Sequence, residues 1–519
     1  MTRRHAWRRS TAVLIALTLA PFYAGITATA ANAGTTCGHV ANDFNGDGYA
    51  DVASGTPLRS FTGANSAGSV QIDYGGPTGI VPSKSQYFDQ ASPGMPGSRT
   101  AGNRFGNTLV SGYFNDDCYA DLAIGATGFD VGPGGNVIIL YGSSSGLTTT
   151  GAVSLAVPSG QSGFGVALAA GDFNHDGHVD LAVGAPFTTD AGKHGAGAVD
   201  IFTGSAAGPS GTPTVFTQST DGIAGTSEVS DEFGYALAAA DFNHDGYDDL
   251  GIGTPGESDG TVEQAGALRV VYGSATGLSG PGSATITQAT AGVPGVNEEG
   301  DRFGEVLAAG DVNNDGYADL VVGVPREAIG TVEGAGDIAY LPGGAAGVTG
   351  AGTIRYSEAT AGVPGDTDRF NYAGDAVAIG DFDHDGYRDI AVGVPGDTPA
   401  GTSLALGSVL IFKGSAAGPT VTGVTTYSEL TPGVPSHPVY GDYFGYTLLP
   451  ADIRGTGRPD LVVSAPQTIC ANQQEECGTV YVLLSQAGSG LTGTGATAIA
   501  QAPSGPGPQT ETDFGQVLG

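Results

Sequence analysis

The nine residues Asp172–Asp180 read DFNHDGHVD and place oxygen-bearing side chains at positions 1, 3, 5 and 9, with a glycine at position 6. Close variants begin at Asp43, Asp241, Asp311 and Asp381, and weaker copies begin at Tyr113 and Asp452. From Asp172 onward these starts recur at a nearly constant spacing of 69 to 71 residues. Self-similarity at a fixed period indicates a repeat architecture, in which each unit stacks on its neighbours.

Five of the seven acidic stretches follow a Phe-Gly pair by eight residues, and a strand-like segment, such as DLAVGAP from Asp180, comes after the stretch. Apolar residues alternate within the segments, as at Leu181 and Val183, and this period of two is typical of β-strands. A unit of about 70 residues with four short strands favours a propeller blade. The Phe-Gly pairs begin at Phe105, Phe164, Phe233, Phe303, Phe444 and Phe514, and Ala373-Gly374 takes the matching place in one unit.

The two ends of the chain predict how the repeats close. No Phe-Gly precedes the loop at Asp43, and no loop follows the last Phe-Gly at Phe514. The last strand therefore completes the unit that the first loop begins, which leaves no open sheet edge. We predict an all-β fold, a seven-bladed β-propeller of four-stranded blades over residues 34–519, closed by pairing of the N- and C-terminal segments. The alternative is an open array with a frayed last repeat.

The acidic stretches predict calcium sites on hairpin loops. Ca²⁺ prefers six to eight oxygen ligands and tolerates flexible geometry, and these loops offer oxygen only, which disfavours metals that prefer soft ligands. Side chains at positions 1, 3, 5 and 9 and the backbone carbonyl at position 7 are the expected ligands; the alternative is an acidic turn that binds nothing. The predicted ligands are Asp43, Asn45, Asp47, Tyr49, Asp51; Asp172, Asn174, Asp176, His178, Asp180; Asp241, Asn243, Asp245, Tyr247, Asp249; Asp311, Asn313, Asp315, Tyr317, Asp319; and Asp381, Asp383, Asp385, Tyr387, Asp389.

Two loops have lost ligands. In the second, Tyr113 replaces the first acid and Cys118 replaces the glycine, so binding there is left open. In the seventh, Arg454 and Thr456 replace ligands, and we expect no ion. The position-4 residues His175, His244 and His384 are expected to point outward into solvent.

Residues 1–33 have the features of a secretory signal. A basic start is followed by an apolar segment, Thr11–Ala20, and by Ala-Asn-Ala at 31–33, a small-residue cleavage site. A membrane anchor is the alternative, but the apolar run is short for a span. The signal holds 4 of the 18 basic residues and none of the 52 acidic ones, leaving a net charge of −38. Such a charge repels nucleic acid and anionic lipid.

All four cysteines, Cys37, Cys118, Cys470 and Cys477, lie beyond the signal. An even number in an exported protein predicts two disulfides. A pair between Cys470 and Cys477 would close a small loop, which leaves Cys37 with Cys118. A zinc site is the alternative, but CxxC spacing is missing.

The Phe-Gly pairs, the DxNxDGxxD loops and strands such as LAVGAP at Leu181–Pro186 resemble the FG-GAP repeats of the integrin alpha-chain propeller and of similar secreted bacterial proteins. The resemblance covers nearly all of residues 34–519. It implies a seven-bladed propeller with cations on one face and an extracellular role in adhesion or ligand binding. Ala373 and the two altered loops depart from the family pattern.

These observations favour a secreted, extracellular or cell-wall-associated binding scaffold with structural calcium, and a monomer. The expected partner is an extracellular protein or glycan, with no nucleic acid and no membrane insertion after signal cleavage. Binding would use the long connections Gln288–Asp301, Tyr356–Arg369 and Tyr427–Tyr443, because loops on a rigid scaffold commonly carry recognition.

An enzymatic role is not expected, since the repeats leave no room for a catalytic domain. The alternative is a secreted hydrolase or lyase that acts on a polysaccharide or phosphoester at a propeller face, using acids outside the calcium loops. We expect those acids to be solvated loop charges: Glu228, Asp231, Glu232, Glu298, Glu299, Asp301, Asp366 and Asp368.

Overall fold

The computed structural model describes residues 39–128, 134–468, 477–501 and 513–519. These residues form seven four-stranded sheets in which all paired strands are antiparallel. The structure confirms the seven-bladed β-propeller. The proposed signal at 1–33 lies outside the described residues.

Each blade contains four strands, and the first blade takes its innermost strand from the end of the chain. The strands are, for blade 1, β1 Val52–Thr56, β2 Ser69–Asp73, β3 Gln86–Phe88 and β28 Val517–Leu518; for blade 2, β4 Phe105–Gly112, β5 Asp121–Ala126, β6 Asn136–Tyr141 and β7 Thr148–Ser154; for blade 3, β8 Leu168–Gly171, β9 Asp180–Gly184, β10 Val199–Phe202 and β11 Thr214–Phe216; for blade 4, β12 Leu237–Ala240, β13 Asp249–Thr254, β14 Ala267–Tyr272 and β15 Ser279–Ile286; for blade 5, β16 Val306–Gly310, β17 Asp319–Val324, β18 Asp337–Leu341 and β19 Ile354–Tyr356; for blade 6, β20 Ala376–Gly380, β21 Asp389–Val394, β22 Ser408–Lys413 and β23 Thr420–Tyr427; and for blade 7, β24 Leu448–Ala451, β25 Asp460–Ala465, β26 Thr479–Gln486 and β27 Gly490–Ala500. The described residues also include a short 3-10 helix at Pro82–Lys84.

The apolar core lies between the blades. Buried side chains form seven clusters, and each cluster combines residues of two neighbouring blades. Successive side chains along a strand point to opposite faces of the blade. Leu181 and Val183 of β9 therefore face blade 2, whereas Val199 and Ile201 of β10 face blade 4. A blade therefore buries both faces of its central strands only because it has a neighbour on each side.

The ring closes where the two ends of the chain meet. Strand β28 pairs with β1, with Ser54 opposite Leu518 and Gly55 opposite Val517. Phe514 and Leu518 join Val52 in the apolar cluster shared by blades 7 and 1. The predicted closure by both termini is thus confirmed.

The Phe-Gly pairs connect neighbouring blades through the backbone. The amide of Phe233 donates to the carbonyl of Ala196, and that of Phe303 donates to the carbonyl of Ala265, both at 3.0 Å. Ala373 makes the same bond to Ala335 at 3.0 Å. The missing phenyl ring therefore leaves this inter-blade link intact.

Strand order divides the connections between two faces of the ring. The acidic loops lead into the second strand of each blade and lie on one face. The second-to-third-strand connections and the long links between blades lie on the opposite face. Among the described residues, no helix has the length and apolar character needed to cross a membrane.

Candidate metal sites

The five intact acidic loops occupy the same place in their blades. Each leads into the second strand of its blade, and its position-9 aspartate stands at or beside the start of that strand. For example, Gly171 at the end of β8 is opposite Asp180 at the start of β9. The loops are residues 43–51 in blade 1, 172–180 in blade 3, 241–249 in blade 4, 311–319 in blade 5 and 381–389 in blade 6.

Hydrogen bonds to side-chain oxygens fold each loop around its first aspartate. In blade 3, the Asp172 carboxylate accepts the amides of Asp176 at 3.1 Å and Gly177 at 2.9 Å. Asn174 Oδ1 accepts the Asp176 amide at 2.9 Å, and Asp176 Oδ1 accepts the His178 amide at 2.9 Å. The loops of blades 4, 5 and 6 repeat these bonds within a few tenths of an ångström. The structure thus brings the predicted oxygen donors at positions 1, 3 and 5 to one side of a tight turn.

The position-9 aspartate anchors the loop to the blade. Asp180 Oδ2 accepts the amide of Phe173 at 3.1 Å, and its Oδ1 accepts the amide of Gly204 beyond the third strand at 2.6 Å. Its counterparts make the same two bonds, and all five are buried.

Burial raises the pKa of these anchoring carboxyls. The pKa of Asp51 rises to about 8, those of Asp180, Asp249 and Asp389 to about 7, and that of Asp319 to about 6. For Asp180, the negative charges of Asp172 and Asp176 raise the pKa further. A divalent cation among these oxygens would favour the ionised form that burial opposes.

Blade 6 has the richest acidic set. One carboxylate oxygen from each of Asp381, Asp383 and Asp385 lies within 4.8 Å of the others, close enough to share one ion. The other intact loops carry Asn at position 3, where blade 6 carries Asp383. Lys413 offsets this extra charge, because its ammonium lies 2.5 Å from Asp383 Oδ2.

The donor chemistry fits calcium better than a soft metal. All predicted side-chain ligands are carboxylate or amide oxygens on a flexible turn, which is the set that Ca²⁺ prefers. The ligand role of the position-7 carbonyls stays a prediction.

Position 4 of one loop contacts position 7 of the next around the ring. The rings of His175 and Tyr247 lie 5.9 Å apart, and those of His244 and Tyr317 lie 5.7 Å apart, both edge to face. In the same way, Asp116 Oδ1 of the second loop lies 3.2 Å from His178 Nδ1. His175 and His244 are exposed, as expected. Their edge contacts with the next loop arise because consecutive loops are neighbours around the ring, which a single repeat does not reveal.

The two altered loops keep the hairpin but replace ligands with other groups. In blade 2, the Tyr113 hydroxyl donates to Val40 O at 2.7 Å, and its ring stacks on His39 at 4.0 Å. In blade 7, the Arg454 guanidinium donates to both carboxylate oxygens of Asp460 at 2.6 and 3.0 Å.

Some acids outside the loops also differ from expectation. Asp231 and Asp301 are buried rather than solvated, because their carboxylates accept the amides of Glu228 and Glu298 inside the long connections. Burial raises the pKa of Asp301 to about 7. Asp366 and Asp368 are exposed, as expected.

The cysteine prediction is only partly covered by the described residues. Cys118 and Cys477 both take part in disulfides. Cys37 and Cys470 lie outside the described residues, so the pairing of the four cysteines stays a prediction.

Comparison with known proteins agrees with this geometry. The FG-GAP repeat family matches residues 38–73, 164–202, 233–271, 303–341 and 373–409. The protein is an FG-GAP repeat propeller. Each matched segment of this propeller runs from a Phe-Gly pair or its equivalent, or from just before the first loop, through the intact acidic loop to the second or third strand.

Curated relatives of the propeller fall into two groups. It is 34% identical to rat phosphatidylinositol-glycan-specific phospholipase D over 172 residues, which are 33% of this chain and 19% of that protein. It is 30% identical to Xenopus laevis integrin alpha-5 over 241 residues, 45% of this chain and 20% of that protein. The matches thus span about a fifth of the length of these relatives. Among solved structures, a Photorhabdus luminescens Tc holotoxin pore chain aligns at 14% identity over 80% of this chain and 17% of that chain, with a TM-score of 0.33.

The relatives correct one prediction. The expectation that this protein is not an enzyme is wrong, because the matching proteins include phosphatidylinositol-glycan-specific phospholipase D from rat and human, each at 34% identity over about a third of this chain. That the repeats leave no room for a separate catalytic domain was therefore not a sufficient reason to exclude an enzyme.

Proposed function

We propose that this propeller is an exported, calcium-stabilised scaffold that binds an extracellular ligand. The observation that supports it most directly is the repetition of one oxygen-only loop at the same place in five blades, each with a buried position-9 carboxylate. One acidic turn of this kind would be weak support. Five with matching hydrogen bonds are better explained by a shared ligand, and a hard divalent cation suits the donors.

Calcium would act on structure rather than on chemistry. Each ion would connect the turn at positions 1 to 5 with the buried aspartate that anchors the second strand of its blade. Five ions would also change the net charge of the chain beyond residue 33 from −38 to about −28. The smaller negative charge would reduce self-repulsion in the compact state.

Isothermal titration calorimetry tests the metal sites. We expect five calcium ions per chain, and four after Asp315→Ala, because this carboxylate is a predicted ligand in blade 5. Asp117→Ala in the altered second loop is the matched control and should leave the number unchanged. Equal losses from both variants, or no binding by the parent chain, would contradict the assignment.

The ligand surface is proposed on the face opposite the acidic loops. The long connections there expose large apolar side chains at three blade junctions: Val229 is 64% exposed, Val296 is 65% and Tyr440 is 71%. A pocket of about 250 Å³ lies between the connections of blades 5 and 6, lined by Glu299, Arg326, Glu333, Phe370 and Tyr372 among others. Exposed apolar groups beside polar ones are typical of recognition surfaces.

An extracellular protein or glycan is the proposed partner class. The exposed aromatic and aliphatic groups can bind either, whereas the net charge disfavours nucleic acid. Binding to arrays of extracellular matrix proteins and glycans should identify a ligand. The combined variant Val229→Ser, Val296→Ser and Tyr440→Ser should then weaken binding at least about tenfold, whereas Val215→Ser on the outer strand β11 should not. A ligand that binds both variants equally would place the surface elsewhere.

Hydrolysis of a phosphoester is the second candidate, and the similarity to phosphatidylinositol-glycan-specific phospholipase D favours it. Release of the glycan from a phosphatidylinositol-glycan substrate by the purified chain would support it. Asp301→Asn would then report on the buried acid nearest the pocket of blades 5 and 6.

A further inference from the structure

The seventh loop has the shape of a metal loop although it has lost two of the predicted ligands. The Asp452 carboxylate accepts the amides of Thr456 at 2.8 Å and Gly457 at 2.6 Å, as Asp172 accepts those of Asp176 and Gly177. Asp460 accepts the amide of Ser485 at 2.8 Å, as Asp180 accepts that of Gly204. The loop of blade 7 therefore keeps these hydrogen bonds of an intact loop, although the amide of Ile453 donates to the carbonyl of Ala451 at 2.9 Å and not to Asp460.

A side chain of the protein supplies the positive charge in this loop. Arg454 stands at position 3, where four of the intact loops carry Asn. Its Nε donates to Asp460 Oδ2 at 3.0 Å, and its Nη2 donates to Asp460 Oδ1 at 2.6 Å and to the carbonyl of Ser485 at 2.7 Å. The buried Asp460 thus has a bidentate cationic partner, which is a strong and directional form of pairing.

The other altered loop is also held without metal ligands. In blade 2, Tyr113 contacts His39 and Val40 in the segment before the first loop, and Cys118, at φ +70°, takes part in a disulfide. Blades 7 and 2 lie on either side of blade 1, where β28 pairs with β1. The two altered loops therefore flank the closure of the ring.

We propose that the Arg454 guanidinium is a built-in substitute for the metal ion, so that blade 7 stays locked when calcium is withdrawn. Resting on the proposed function, this divides the ring into blades whose loops need calcium, blades 1 and 3 to 6, and blade 7, whose loop is held without an ion. Removal of calcium would then loosen the acidic loops of blades 1 and 3 to 6, while the loop of blade 7 keeps its structure.

Hydrogen–deuterium exchange of the full chain, with calcium and with excess chelator, tests this division. Peptides that cover 172–180, 241–249, 311–319 and 381–389 should exchange at least about tenfold faster in chelator. The exchange rate of peptides that cover 452–460 should differ by less than about twofold between calcium and chelator. A chelator response at 452–460 equal to that of the other four loops would overturn the proposal.

Two variants test directly whether Arg454 holds the loop at 452–460. Arg454→Gln should speed exchange at 452–460 in calcium and in chelator alike, whereas Lys193→Gln, which removes an exposed charge on blade 3, should not. Arg454→Asn with Thr456→Asp restores the donor set of an intact loop, so protection at 452–460 should become calcium-dependent and one more ion should bind.

The variants also separate the two proposals. If the chelator changes none of the loops, the proposed calcium function fails, and Arg454→Gln still decides whether the guanidinium holds blade 7. If Arg454→Gln leaves exchange at 452–460 unchanged, the substitute role of Arg454 is wrong whatever the other loops do.

Discussion

At the scale of single residues, burial decides the chemistry of the acids more than their sequence context does. The position-9 aspartates and several acids of the long connections lie inside the ring, where burial raises their pKa. Glu358 shows this away from the predicted metal ligands. Its Oε2 accepts a hydrogen bond from Asn371 at 2.7 Å, and burial raises its pKa to about 8.

Glu358 is expected to make stability fall as pH rises. Between about pH 4.5 and 8 the unfolded chain releases this proton, whereas the folded chain retains it, so the folded state binds more protons. The stabilising contribution is complete below about pH 4.5 and is lost as pH rises through 8. Glu358→Gln removes this dependence, by roughly 1.4 kcal/mol for each pH unit at most.

Urea unfolding of the parent chain and of Glu358→Gln in saturating calcium measures this effect. The variant should gain stability over the parent between pH 5 and pH 8. Asp221→Asn, at an exposed site, is the control and should show a constant difference. A constant difference for Glu358→Gln as well would contradict the predicted pKa.

Glycines on the second strands allow neighbouring blades to approach. A methyl group at Gly253 would overlap the carbonyl oxygen of Gly304 in the next blade, and the same overlap arises at Gly184 with Gly234. Gly253→Ala should therefore destabilise the protein by about 3 kcal/mol or more. Gly344→Ala is the control, since open space surrounds that position, and similar unfolding free energies for the two variants would refute the steric explanation.

At the scale of the loop, the sequence predicted the turn but not everything that stabilises it. The spacing of Asp172, Asn174, Asp176 and Asp180 was enough to predict a tight oxygen-lined hairpin. The role of Arg454 was missed, because the sequence shows a lost ligand and not where the guanidinium reaches. Contacts such as that of His175 with Tyr247 were missed for a similar reason, since they join two repeats whose loops begin 69 residues apart along the chain.

The contact of Lys413 with Asp383 predicts a weakened calcium loop in blade 6. An ion must share Asp383 with an ammonium that lies 2.5 Å away, so Lys413→Met should tighten calcium binding there by about tenfold. The calcium concentration that half-protects residues 381–389 from hydrogen exchange measures this affinity. Lys193→Met should leave the midpoint unchanged, and an equal shift in both variants would mean that only net charge matters.

At the scale of the whole molecule, the ring depends on a strand contributed by the last residues of the chain. The repeat spacing predicted this closure, because the Phe-Gly at Phe514 needs a loop that only the start of the chain provides. Closure matters because each apolar cluster needs residues from two neighbouring blades. The cluster shared by blades 7 and 1 combines Phe514 and Leu518, from the end of the chain, with Val52 of β1.

Val517→Asp tests the closure. Val517 is fully buried on β28, so a carboxylate there should cost about 4 kcal/mol or prevent folding. Val215→Asp, at a half-exposed strand site, should cost less than about 1 kcal/mol. Equal unfolding free energies in urea would show that β28 adds little to the ring.

Thermal unfolding in calcium and in excess chelator, at matched ionic strength, tests the central claim most directly. At a calcium concentration of about 100 times Kd, each occupied site adds roughly 2.7 kcal/mol to the folded state. Five sites predict a Tm at least about 5 °C higher in calcium than in chelator. The same Tm in calcium and in chelator would contradict the claim that these loops hold the propeller together through calcium.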